Sequence, residues 1–255
     1  MPQTAIYIYC LVEQTRQPSL ARVSVGVPGA TAPVILPVGK SLWAVAAEVP
    51  LATYGSDRLE ERLKDVNWVA DAAVAHEAIV ERFASARGAA VVPMKLFTMF
   101  STRERAVADL RGKIRDVGAI LKRIRGCQEW GVRVTRRAPD PSARERSASK
   151  PSTGTAFLSA KMRARDDARA AIVKAADAAE AAYRALERLA RAARRREAPE
   201  GATTPPLVDA AFLVRADRKA RFRAAARRSA SNCRKAGADF ALTGPWPAYN
   251  FVERA

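Results

Sequence analysis

Two rhythms run along the chain, one of period two and one of three to four residues, and the switches between them outline the elements. Ala5-Ile-Tyr-Ile-Tyr-Cys-Leu-Val12 is an unbroken β-branched and aromatic run, the pattern of a central strand. Apolar stretches at 21–27, 34–38 and 42–49 are separated by Pro28-Gly29, Pro37 and Gly39-Lys40, which are turn signals between short strands. A helix capped by Ser56 follows, with Leu59 and Leu63 on one face. The next helix spans about residues 68–86, with Val69, Ala73, His76, Val80 and Phe83 at helical spacing and Gly88 placed to end it. Residues 89–96 return to strand, interrupted by Pro93, and a third helix from Thr102 carries Leu110, Ile114, Val117, Leu121 and Ile124 as far as Gly126.

The second half opens with an alternating strand, residues 127–135, and a polar Pro/Ser-rich stretch at 138–153 that predicts a mobile linker. Helical propensity is then continuous from Thr155 to Glu197, with a seam of Ile172, Ala176, Ala179, Tyr183, Leu186 and Ala190. Unbroken, about 43 residues at 1.5 Å each would span about 65 Å, so part must project, pair or break. A strand at 207–214, a basic helix at 217–235 and a strand at 239–242 complete the pattern. The order predicts an α+β protein with an N-terminal α+β domain at 1–125 and a C-terminal domain at 126–255. The latter is expected to be ferredoxin-like, an antiparallel sheet with helices on one face, and to carry the long basic helix and an aromatic tail.

Composition narrows the function classes. A hydrophobic content of 49% is ample for a core, and no stretch reaches the roughly 18 apolar residues of a membrane span. The N-terminal apolar run is strand-like and unlike a secretory signal, which predicts a cytoplasmic protein without membrane association. Cys10, Cys127 and Cys233 are far apart and unpaired in spacing, fitting neither a disulfide framework nor a zinc site, and His76 is the single histidine. Neither a nucleophile elbow nor a phosphate-binding loop is present, so no enzyme and no cofactor is expected. The net charge of +18 is uneven, with +13 of it in residues 126–255, which suggests an acidic partner or simply arginine-solvated helices.

The most specific strings lie in short motifs. The tail reads Leu242-Thr-Gly-Pro-Trp-Pro-Ala-Tyr-Asn-Phe251. Upstream stand Ala75-His76-Glu77, Pro93-Met-Lys-Leu-Phe-Thr98, Glu129-Trp-Gly-Val132, Gly154-Thr-Ala-Phe-Leu-Ser-Ala-Lys161 and Val208-Asp-Ala-Ala-Phe-Leu-Val214. In this order they resemble the gas vesicle protein F/L family, whose usual forms are L-T-G-P-W-P-P-Y-N-F, A-H-E, P-L/M-R/K-F-G-T, E-W-G-V, G-x-A-Y-L-x-x-K and V-N-A-A-Y-L-V. The departures are Leu96-Phe97, Asp209 in place of Asn, and Ala248 in place of Pro. The resemblance covers essentially the whole chain. It implies two α+β domains, no enzymatic activity, and an accessory or minor structural role in gas vesicle assembly. The implied partners are the hydrophobic shell subunit and other accessory proteins, met during nucleation. The motifs mark Trp130, Phe157, Leu158, Trp246, Tyr249, Asn250 and Phe251 as interaction candidates.

Rival readings exist for several of these residues. His76 falls on an apolar helix face, where a hydrogen-bonded core histidine is the simpler role than a catalyst. Tyr7 and Tyr9 superficially match one strand motif of RNA-recognition domains, and a basic nucleic-acid-binding α+β module is the alternative function; its companion aromatic motif is missing. Trp246, Tyr249 and Phe251 either anchor a partner or dock internally, and internal docking is the expectation because exposed aromatics invite aggregation.

Overall fold

The first strand, β1 (Thr4–Glu13), is buried along nearly its whole length, and a sheet is built around it in the order β2-β3-β1-β4. The structure is a computed structural model that describes residues 3–86, 89–138, 154–197 and 205–252. β2 is Val34–Pro37, β3 Leu42–Pro50, β4 Ala90–Pro93, and the two-residue β5, Met99–Phe100, also pairs with β1. β1 and β3 are antiparallel, running from Thr4 opposite Pro50 to Glu13 opposite Leu42, with a bulge between Ile8 and Cys10. The bulge inserts one residue and changes which side chains face inward. Ala5, Tyr7 and Tyr9 enter one core before it, and Cys10 and Val12 enter the same core after it.

Helix α1 (Leu51–Tyr54) and α2 (Ser56–Arg62) lead into α3 (Val66–Ala84), whose Ala72, Ile79, Val80 and Phe83 pack against the tyrosine side of β1. The cap of α3 is Asp65, which accepts from the backbone N–H groups of Asn67 and Trp68. Ser56, expected as a cap, is instead the first residue of α2 and bonds to Asp57. The stretch 21–27 forms no strand. The third helix is broken at Lys113 into α4 (Arg103–Gly112) and α5 (Ile114–Ile124), and Gly126, at φ +67°, reverses the chain after α5.

The second sheet contains β6 (Cys127–Arg136), β7 (Ala192–Arg195), β8 (Val208–Arg215) and β9 (Ala238–Trp246), in the order β7-β8-β6-β9. The long helix α6 (Gly154–Glu187) joins β6 to β7, and α7 (Lys219–Lys235) joins β8 to β9 after a short 3-10 turn. This is a β-α-β-β-α-β chain, the ferredoxin-like element order. Trp130, Val132, Val134, Val208, Phe212 and Val214 all point from one face of the sheet into the core that α6 and α7 cover. The expected linker at 138–153 lies, apart from Ala138, outside the described residues.

Helix α6 stops at Glu187 and does not run to 197. β7 follows almost at once, an element that the sequence Ala-Ala-Arg-Arg does not predict. The chain divides into two compact units: residues 1–128 together with the tail from Trp246, and residues 129–245. A division at 125/126 groups the tail with the second half, whereas its buried aromatic side chain joins the first unit.

Candidate functional site

In the first unit, the Tyr7–Tyr9 strand and the Pro93–Thr98 string come together at the side chain of His76, from the Ala75-His76-Glu77 string. Tyr7 is fully buried, accepts from the Phe97 backbone N–H at 3.2 Å, and its hydroxyl lies 2.8 Å from His76 Nδ1. Burial lowers the His76 pKa to about 4, partly offset by the Met94 backbone, so the imidazole is neutral at physiological pH. Nδ1 and the Tyr7 hydroxyl share this hydrogen bond, and burial raises the Tyr7 pKa as well. Tyr9 receives the Val27 N–H on its hydroxyl, and burial moves it up to about 12. Both rings are closed to stacking on bases, which removes the strand that favoured the RNA reading.

Phe97 explains one departure from the family pattern. It stands where the family string has glycine and has φ +63°, a conformation that costs a side-chain-bearing residue about 1–2 kcal/mol. Its ring lies flat against Trp68, with centroids 5.6 Å apart and planes 2° apart, and meets Tyr7 edge-on. Aromatic contacts of this kind contribute about 0.5–1.5 kcal/mol each beyond burial, which offsets the backbone cost.

The tail docks on the same unit. Phe251 is buried at 4% exposure, and its carbonyl accepts from the Arg123 guanidinium. Tyr249 packs against the core that holds Tyr7 and Tyr9. Its hydroxyl and Glu77 Oε1 are both shut off from solvent, and neither makes a hydrogen bond of good geometry. They still act on each other. Burial raises the Glu77 pKa, the nearby phenol pulls it part-way back, and Tyr249 is itself raised by burial and by Glu77. Trp246 differs from the expectation of internal docking: it is 43% exposed. Asn250 is half-buried in the 3-10 turn Tyr249–Phe251. The meeting of Glu77 with Tyr249 has no signal in the sequence beyond the presence of both in motifs.

The second unit separates the remaining candidates. Trp130 is core, 3% exposed, with its ring beside Phe222. Asp209, another departure from the family strings, is a buried carboxylate held from two sides: Arg133 of β6 reaches Oδ2 at 2.7 Å and Arg196, just past β7, reaches Oδ1 at 2.5 Å. Phe157 and Leu158 are exposed, and so is every side chain from there to Lys174. Burial on α6 begins only at Ala175 and continues through Ala179, Ala182, Tyr183 and Leu186. The predicted seam is therefore core only in its C-terminal half. The N-terminal half of α6 presents Phe157, Leu158, Met162, Ile172 and Val173 to solvent at 43–67% exposure. Met162 carries no signal in the sequence, because a lone methionine among arginines and alanines breaks no pattern.

The family model for gas vesicle synthesis protein GvpL/GvpF matches residues 5–253. The chain belongs to the GvpL/GvpF family. It is 30% identical over 225 residues to gas vesicle protein L of Streptomyces sp. (strain CB03234), covering 83% of this chain and 80% of that protein. Its fold is similar to the crystal structure of GvpF from Anabaena sp. PCC7120, with a TM-score of 0.66 at 12% identity over 99% of this chain and 97% of that one. GvpF from Microcystis aeruginosa gives 0.62 at 11% identity over 98% and 99%. At these identities the two structures speak for the α+β fold alone. Membership carries a gas vesicle-related role, in a family of gas vesicle proteins that is not a known enzyme family. Among the described residues, no helix is long and apolar enough to cross a membrane, and no cluster of metal-ligating side chains occurs.

Proposed function

We propose that this protein acts in the cytoplasm during gas vesicle assembly by holding the hydrophobic shell subunit before and during nucleation, together with other accessory proteins. The capture surface is the N-terminal half of α6. The observation that supports this reading is five large apolar side chains standing exposed on a stretch of helix where every described side chain faces solvent. Single exposed apolar residues are ordinary on a protein surface; a run of them along one unpacked helix marks an interaction surface.

The magnitude suits a transient hold. Fully burying such a side chain gains about 1.5–3 kcal/mol, so completing the burial of five half-exposed ones gains on the order of 5 kcal/mol. That is at the low end of the cost of association, so this face alone gives weak, reversible capture. A subunit that must be released into a growing shell requires reversibility. Lys161, Arg165 and Arg169 follow one another at four-residue intervals along the same side, so the captured surface is apolar with carboxylates beside it.

The test is binding of purified shell protein to the wild type and to Phe157→Ser/Leu158→Ser/Met162→Ser. The variant is expected to lose at least about tenfold in affinity while its melting temperature stays unchanged. Undiminished binding would contradict the assignment of this face.

A further inference from the structure

Helix α7 carries an independent surface. Its inward face, Phe222, Ala225, Ala226, Ser229 and Cys233, is buried against the sheet. Every charge on the helix is positive: Lys219–Lys235 contains seven lysines and arginines and no acidic residue. Arg221, Arg223, Arg227, Arg228 and Lys235 are exposed, and they make no ion pair with an acidic side chain among the described residues. Arg234 alone feels a nearby carboxylate, Asp239, which is already bonded to Arg137. Gathering this much like charge on one helix face costs stability through repulsion, and an opposite surface relieves that cost.

The charges are also ordered. Arg221, Arg228 and Lys235 recur every seven residues, a straight row with a repeat of about 10.5 Å. Arg223, Arg227 and Arg234 form a second row, and Ala220, Ala224 and Ser231 lie between the two. The small residues leave a shallow track between the rows, so that another backbone can approach closely.

We infer that the outer face of α7 docks an acidic helix of a partner protein, whose glutamates or aspartates run in two rows along its flanks. A facing helix presents carboxylates at the same seven-residue repeat, as at the flanking positions of a coiled coil. Duplex nucleic acid offers phosphates that wind around its axis at about 1.7 Å per charge, with no straight rows to match. The exposed face of α7 also lacks any aromatic side chain on which single-stranded bases would stack. This inference concerns a helix separate from the α6 surface and stands or falls without it.

The experiment uses two helical peptides of identical composition. In one, glutamates form two rows with a seven-residue repeat; in the other, the same residues are scrambled. The full-length protein is expected to bind the patterned peptide about tenfold more tightly than the scrambled one at about 0.15 M salt. The variant Arg221→Glu/Arg228→Glu/Lys235→Glu should lose that preference, and Arg221→Lys/Arg228→Lys should keep most of it. The lysine variant guards against a charge reversal that merely unfolds the helix, and melting curves of each variant check this directly. Three results overturn the proposal: equal binding of the two peptides, no measurable binding of either, or tighter binding of a short DNA duplex than of the patterned peptide.

Discussion

His76 and Glu77 are adjacent on α3, the first buried and the second half-buried, and burial shifts their pKa values in opposite directions. The Glu77 pKa is raised, so the folded state holds its proton more tightly than the unfolded chain. The stability this contributes is fully present below the ordinary carboxylate pKa of about 4.5 and is lost as pH rises through the folded value. His76 behaves in the opposite sense: with a folded pKa of about 4 against 6.5 unfolded, it costs stability below pH 4 and ceases to do so as pH rises through 6.5. Glu77→Gln removes a partly buried charge at neutral pH and keeps the shape. It should therefore raise the melting temperature at pH 7–8, with an advantage that disappears below about pH 4.5, as melting curves across this range would show. A variant less stable than wild type at pH 8 would mean that the carboxylate is stabilised where it stands. The tail residues divide by burial in the same way. Phe251→Ala should cost about 3–5 kcal/mol, as buried aromatic truncations do. Trp246→Ala, at 43% exposure, should cost about 1–2 kcal/mol, and denaturant midpoints would rank the two. The tail sequence alone places all three aromatics in one class, because proline spacing limits chain freedom without saying which ring meets the core.

At the scale of elements, the strands with strong internal patterns were legible: β1 is β-branched and aromatic and buried almost throughout, β8 is buried along all but its last residue, and β6 sets Trp130, Val132 and Val134 on the core face. α3 and α7 were legible from their inward spacing. β7 was not. Ala192–Arg195 has no strand propensity of its own, and it becomes a strand because β8 offers a free edge, pairing Ala192 with Leu213 through to Arg195 with Ala210. Ion pairs then fix it: Arg195 meets Glu180 of α6, and Arg196 meets the buried Asp209. These contacts join residues far apart in the chain, and no local pattern announces them. The break at Lys113 was hidden for a different reason. α4 and α5 continue one apolar rhythm across it, so the interruption leaves no mark on periodicity. The bulge at Tyr9 is the reverse case, where a run apolar on every position conceals a change of face.

On the scale of the whole molecule, the family was legible because its motifs are short strings of rare residues, and the structure gives several of them work inside the units: the tail against α3, and Asp209 between two arginines. Two surfaces are proposed for partners, an apolar one on the first half of α6 and a basic one on α7. Seven of the positive charges, unmatched by any acid on the same helix, thus acquire a location. The central claim is that the shell subunit is held on α6, and amide hydrogen exchange with and without purified shell protein tests it most directly. In the free protein, residues 157–174 should exchange quickly, since no tertiary packing protects them, while 175–186 should exchange slowly. With shell protein bound, protection should rise in 157–174. Protection that rises elsewhere while this segment stays unchanged would contradict the account.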